Sequence, residues 1–381
     1  MKRVLRLLLF LVILVGIFFS CRQYQTQILD FFDPPTARER YVRKFKNDTL
    51  RIQRWQREFQ KAVNDSFTIP TPYAEGVNVT PNEFKAFTYD FSVTEGSLTK
   101  ILLQPLDTSQ QLFYQLVRIH TDKVVEEGIA SGKPTTVQSD QPGPYKLIVQ
   151  PSVETAEPFA VRFLKLPHYA FPVSGKGNAA VQSFWGASRD GGRRKHEGID
   201  IFAKSGTPVV ASVDGYVMRT GNRGLGGKQV WLKESLLGSS LYYAHLDRIA
   251  VAKGTKVRVG DTLGFVGNTG NAKHTPPHLH FGIYKRYRAV DPLPFVKTYP
   301  SPSIDTTYQF REYYRLTRTA NIRKGPGTQH EKIERLSPKQ PIEVIGKSNQ
   351  WYRIVVSDTL RGFVHQSLIR PITEEVVAKV P

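Results

Sequence analysis

Between residues 36 and 64, the apolar side chains Tyr41, Phe45, Ile52, Trp55, Phe59 and Val63 recur at steps near 3.6, the period of one helix face. Thr36 with Glu39 forms a capping-box pattern just after Pro34-Pro35, a start signal. The spacing predicts one amphipathic helix over 36–64. Its other face carries Arg38, Arg43, Arg54 and Lys61 among others. That face reads as solvated, or as a stalk lying against anionic lipid.

From Phe67 the period falls to two. Phe87-Tyr89-Phe91-Val93, Tyr145-Leu147-Val149 and Phe159-Val161-Phe163 alternate with polar residues, and Gly, Pro, Asp or Ser clusters separate them. Short strands at this spacing predict an antiparallel sandwich over 67–165. The stretch from about 84 resembles the jelly-roll prepeptidase-type accessory domains of secreted bacterial peptidases. It holds no catalytic constellation and reads as a spacer or binding module. Residues 166–305 are rich in Gly, Val and short strand-like runs. From 310 to 373 further short strands, such as Ile342-Glu343-Val344-Ile345 and Trp351-Tyr352-Arg353-Ile354, predict a small barrel, with a tail at 374–381. The expected class is mainly β: an N-terminal helical segment (22–66), a jelly-roll-like sandwich, an antiparallel β domain and a small C-terminal β-barrel.

The first 21 residues stand apart. A basic start, Lys2 to Arg6, precedes an apolar run of 14 residues from Leu7 to Ser20. A spanning helix wants about 20 apolar residues, a signal core about 7 to 15. The run therefore reads as an export signal. Cys21 closes it and is the chain's single cysteine, which excludes a disulfide framework and cysteine-rich zinc modules. The segment resembles a lipoprotein signal, although Phe18-Phe19-Ser20-Cys21 departs from the usual pattern; an uncleaved anchor or plain secretion are the alternatives. Each places the chain in the cell envelope or outside the cell. Composition adds one fact: 53 Lys and Arg against 33 Asp and Glu give a net charge of +20. Such an excess suits an anionic partner. For an exported protein that partner is not nucleic acid.

The chemistry concentrates in His196-Glu197-Gly198-Ile199-Asp200 and Pro277-His278-Leu279-His280. On a strand His278 and His280 share a face while Leu279 turns to the core. His196 and Asp200 cannot meet along a straight strand, where four steps span about 13 Å. The chain has to bend, and Gly198 offers a permissive backbone. Because position 200 is Asp, this is not the helical His-Glu-x-x-His motif, and Glu197 does not take that motif's general-base role. In Leu241-Tyr242-Tyr243-Ala244-His245 the odd positions share a strand face, which is expected to carry His245 to the same groove. His274 is expected at the groove rim. His120, His168, His330 and His365 stand isolated and read as bland surface or core residues.

These motifs, with Phe184-Trp185-Gly186, Gly206-Thr207-Pro208, Tyr243-Ala244-His245 and Gly264-Phe265-Val266-Gly267, closely resemble the LytM/lysostaphin-type zinc peptidoglycan endopeptidases over about 140 residues. The resemblance implies that residues 166–305 are a metallopeptidase domain. His196, Asp200 and His280 would be zinc ligands, and His245 and His278 catalytic histidines. Asn321-Ile322-Arg323-x-Gly325-Pro326 and Trp351-Tyr352 resemble a bacterial Src-homology-3-like domain, a fold that commonly binds cell-wall peptides. The implied function is hydrolysis of stem or cross-link peptides of peptidoglycan. The alternative is a wall-binding activator or scaffold without turnover. Oligomeric state is not legible.

Overall fold

The computed structural model describes residues 34–372 except 46–47, 138–141, 155–156, 237, 305–309, 311–312, 339–340 and 358–359. The export signal, Cys21 and the 374–381 tail lie outside the described residues. Among the described residues, no helix is long and apolar enough to cross a membrane. The expected mainly β class is borne out, with antiparallel sheets throughout.

The helix expected over 36–64 is two helices, Ala37–Val42 and Thr49–Asn64. The first helix stops at its C-cap Arg43, and Asp48 starts the second: its carboxylate accepts from the backbone N–H of Arg51 at 3.4 Å. A short polar side chain competes for backbone groups in this way and favours a cap over a helix interior. The buried stripe of Ile52, Trp55, Phe59 and Ala62 packs on the sandwich. The Trp55 indole donates to the Pro151 carbonyl at 2.7 Å, and the Gln150 amide donates to the Trp55 carbonyl at 2.8 Å. The basic face is not wholly solvated. The Arg38 guanidinium lies 3.9 Å from the Trp55 ring and 3.6 Å from that of Phe59, and burial pushes its pKa down to about 9.

The sandwich has one four-stranded sheet of Phe87–Val93, Gly143–Pro151, Leu112–Arg118 and Lys123–Ile129. Its second sheet contains Tyr73–Val77, Phe159–Pro167, Ser97–Pro105 and Thr135–Val137. That sheet does not end at its edge. Gly76 pairs with Lys347 and Val77 with Gly346, so the sheet runs on into the C-terminal barrel. Ile345 and Phe363 of the barrel enter the sandwich core beside Phe67, Tyr73 and Tyr89. Two segments that read as separate modules in sequence thus meet in one apolar cluster, while the barrel keeps a second core around Tyr314, Ile322, Ile354 and Val364.

The intervening domain is built on a sheet in the order Lys256–Val257, Gly215–Asn222, Lys228–Lys233, Ser240–Ala244, His278–Lys285, Ile199–Phe202 and Val181–Ser183. Its two faces differ sharply. Ile199, Ile201, Leu232, Leu241, Phe281 and Ile283 turn inward and are closed to solvent. The opposite face carries Asp200, His278, His280 and Tyr242, and register holds it together: Asp200 pairs with His280, Phe202 with His278 and Ala244 with His280. Period-two alternation places apolar packing on one side and chemistry on the other.

Candidate active site

A cleft of about 800 Å³ opens on the polar face of this sheet. His196, Asp200, His245, His278 and His280 all line it. His274 does not; it is exposed, and Asn271, Ala272 and Thr275 form the cleft wall there. His168 lies 3.9 Å from Glu234, away from the cleft.

Three donor atoms form a near-equilateral triangle. His196 Nε2 is 3.0 Å from Asp200 Oδ1, His280 Nδ1 is 3.0 Å from the same oxygen, and the two nitrogens are 3.0 Å apart. The strand pairing of Asp200 with His280 supplies one edge. His196 arrives by a bend at Gly198. That glycine does not occupy the left-handed region, so its value is space rather than conformational freedom. A Cβ there would lie 2.6 Å from His280 Cε1 and 2.6 Å from the Phe281 carbonyl oxygen.

The chemistry of the triangle fits a cation. His196 Nδ1 is 2.9 Å from the Phe184 carbonyl, which can only accept, so in the neutral ring Nε2 presents a lone pair. That lone pair faces the Asp200 carboxylate. His280 Nδ1 can donate to one of its two neighbours and leaves the other facing an acceptor. A divalent ion satisfies all three at once. Tetrahedral bonds of about 2.0–2.1 Å require donors about 3.3–3.4 Å apart, close to the spacing present. Burial works to raise the Asp200 pKa, but hydrogen bonds from His196 and His280 and their charges outweigh it and hold the carboxyl well below the usual range.

His245 reaches the cleft by a route other than the one its sequence suggests. The odd positions Leu241 and Tyr243 face the core. Continued alternation would bury His245 with them. The strand stops at Ala244, however, and His245 adopts φ +62°, which turns its side chain to the cleft. A left-handed non-glycine residue is costly and is kept where its surroundings fix it. The fixing contacts are its N–H to the Gly226 carbonyl at 2.8 Å and Nδ1 to the Thr269 carbonyl at 2.8 Å. His278 Nδ1 likewise donates to the Pro276 carbonyl at 2.8 Å. Both rings therefore present Nε2 as the free nitrogen, with centroids 5.1 Å apart. Burial lowers the His245 pKa to about 4, aided by the nearby His280 and opposed by the Thr269 contact. His280 is also lowered, chiefly by burial.

The motifs gave no sign of Arg189 and Ser183, which contact the triangle from outside. Arg189 Nη2 donates to Asp200 Oδ2 at 2.6 Å and to Ser183 Oγ at 2.6 Å. Ser183 ends a three-residue edge strand, where it pairs with Asp200, and Arg189 lies in the two-residue strand Ser188–Arg189; both runs are too short for pattern reading to hold. Tyr242 was equally silent; its ring meets that of His280 edge-on at 5.7 Å.

Residues 194–292 match the model of Peptidase family M23, and residues 318–370 match that of the Bacterial SH3 domain. A stretch of 130 residues is 37% identical to the L-Ala--D-Glu endopeptidase of Bacillus subtilis, covering 32% of this chain and 40% of that protein. A stretch of 136 residues is 33% identical to the glycyl-glycine endopeptidase ALE-1 of Staphylococcus capitis, covering 34% and 37%. The chain thus spans well under half the length of these curated relatives. Among solved structures, the catalytic domain of lysostaphin from Staphylococcus simulans is 34% identical, with 30% of this chain and 89% of that chain covered and a TM-score of 0.28. The resemblance read from the motifs is borne out: the chain carries an M23 peptidase domain and a bacterial SH3 domain.

Proposed function

We propose that the protein is a zinc-dependent endopeptidase that hydrolyses peptide bonds in the stem or cross-link peptides of bacterial peptidoglycan. The observation that carries this reading is the triangle of His196, Asp200 and His280 beside two histidines whose Nε2 atoms are free. Relatives named as endopeptidases over the matched stretch support it. A zinc ion held by these three residues would supply Lewis-acid polarisation of the scissile carbonyl and activation of water.

The chain's own residues do the rest. His245 and His278 are pinned at Nδ1, so each has one nitrogen with which to hold a proton. One serves as acceptor for the proton of the attacking water, the other as donor to the leaving amine. The carbonyls of Thr269 and Pro276 fix the tautomer in which Nε2 accepts. Arg194, Lys195 and Arg223 line the cleft against the single further carboxylate of Glu197. That balance suits an anionic wall polymer. The bacterial SH3 domain would add wall affinity, and attachment to a membrane through a lipidated Cys21 would hold the chain in the envelope.

The test is zinc content together with release of peptides from purified sacculi. Stoichiometric zinc and chelator-sensitive release are expected. A metal-free chain, or a zinc-loaded chain that releases nothing, ends the hydrolase reading and leaves the wall-binding activator. For the anchor, Cys21→Ser should move the protein to the soluble fraction, and retention on membranes rejects lipidation.

A further inference from the structure

We infer that Arg189, seated by Ser183, is a positioning residue that restricts Asp200 to a single ligand oxygen. The inference rests on the reading of the triangle as a metal site. Asp200 uses Oδ1 toward both histidines. Its other oxygen, Oδ2, is taken by Arg189 Nη2 at 2.6 Å, a charge-assisted contact on a side chain only 8% exposed. The same nitrogen is 2.6 Å from Ser183 Oγ, which is 3.4 Å from His196 Nδ1. One guanidinium therefore braces the outer side of two of the three donors.

The local fold holds Arg189 in place. Ser188–Arg189 and Arg194–Lys195 form a two-residue hairpin, Arg189 opposite Arg194. Its turn contains Asp190, Gly191 and Gly192, all at positive φ. The ion pair of Arg194 with Asp190 closes it. The hairpin leads directly into His196, so the loop both delivers that ligand and carries the brace for Asp200.

A carboxylate free at both oxygens can bind a metal ion through either one or both. With Oδ2 engaged it contributes one bond, and positions stay open for water and a substrate carbonyl, as a catalytic site requires. Outer contacts of this kind are commonly worth about 10–100-fold in metal affinity or activity.

The experiment uses the full chain, stripped of metal and reloaded with zinc or with cobalt(II). Arg189→Met should weaken zinc binding about 10–100-fold in competition with a chelating dye. The visible absorption of its cobalt(II) form should fall as the freed carboxylate adds a second bond and raises the coordination number. Turnover should drop mainly in kcat, and Arg189→Lys should recover part of each effect. Should Arg189→Met fail to fold, Ser183→Ala carries the same test, with a smaller change of the same sign. Unmoved zinc affinity and cobalt spectrum overturn the inference. So does a loss confined to KM, which would make Arg189 a substrate contact. Were the wild-type chain to take up neither ion, the metal-site reading itself would fall; wild-type uptake beside an unmoved variant removes only this step.

Discussion

Arg353 Nη1 lies 3.1 Å from Glu75 Oε2, across 278 positions of sequence, and neither side chain is open to solvent. Tyr89 donates to the same oxygen at 2.9 Å. Burial pushes the Glu75 carboxyl up, against the pull of Arg353. The pair ties a sandwich strand to a barrel strand at the junction of the two. Arg353→Met leaves a buried carboxylate without its cation and should cost about 3–5 kcal/mol. Glu75→Gln added to it should recover part of that loss. Urea unfolding followed by separate probes in the sandwich and the barrel checks this. One coincident transition, shifted in the variant, is expected; a sandwich transition untouched by Arg353→Met would show two independent modules.

His280 and His278 sit two residues apart on one strand face but differ in what their ring nitrogens meet. His280 Nδ1 belongs to the donor triangle, while His278 Nδ1 is spent on the Pro276 carbonyl. His280→Ala should yield protein without stoichiometric zinc and without turnover. His278→Ala should keep zinc and lose about 10²–10⁴-fold in rate, the usual worth of a positioned proton-transfer group. Elemental analysis beside sacculus digestion separates the two, and the reverse pattern of zinc retention would exchange the roles.

Gly198→Ala adds one methyl group where the His280 ring and the Phe281 carbonyl already stand at 2.6 Å. The ring can turn away, but the Phe281 carbonyl is backbone, so the strands must also part and the triangle opens. Zinc affinity should fall at least about 10-fold, while the overall fold is kept because the residue is not at positive φ and the backbone shift stays local. Chelator competition and circular dichroism check the two halves. Full zinc affinity in a folded Gly198→Ala protein would show that the bend tolerates a side chain.

The sequence revealed those parts of the site that follow from strand alternation. His278 and His280 share a face because Leu279 faces the core, and the structure has that arrangement. The rest depends on departures from periodicity. His245 lies one residue past its strand, and a left-handed backbone, invisible to a count of odd and even positions, decides its direction. Arg189 is placed by a two-residue hairpin and Ser183 by a three-residue edge strand, both too short to show a period. The expected long helix breaks between the C-cap Arg43 and the N-cap Asp48, although the apolar spacing of Tyr41, Ile52 and Trp55 runs across it unbroken. The junction of sandwich and barrel was hidden for another reason: Glu75 and Arg353 each look like ordinary charged residues until the strands Tyr73–Val77 and Pro341–Ser348 pair.

The buried, left-handed His245 also makes a prediction about pH in the metal-free protein. Burial holds this imidazole at about 4, whereas in the unfolded chain it titrates near 6.5. Between those values the unfolded state binds the extra proton. Stability therefore rises with pH across this window and is lost as pH falls through it. For this one group the loss between pH 7.5 and pH 5 comes to about 2 kcal/mol. His245→Asn is the control, because Asn tolerates the left-handed region and can still donate to the Thr269 carbonyl. Urea titrations at the two pH values should show a drop about 2 kcal/mol larger for the wild type than for the variant. Equal drops would mean that His245 titrates as a solvated histidine.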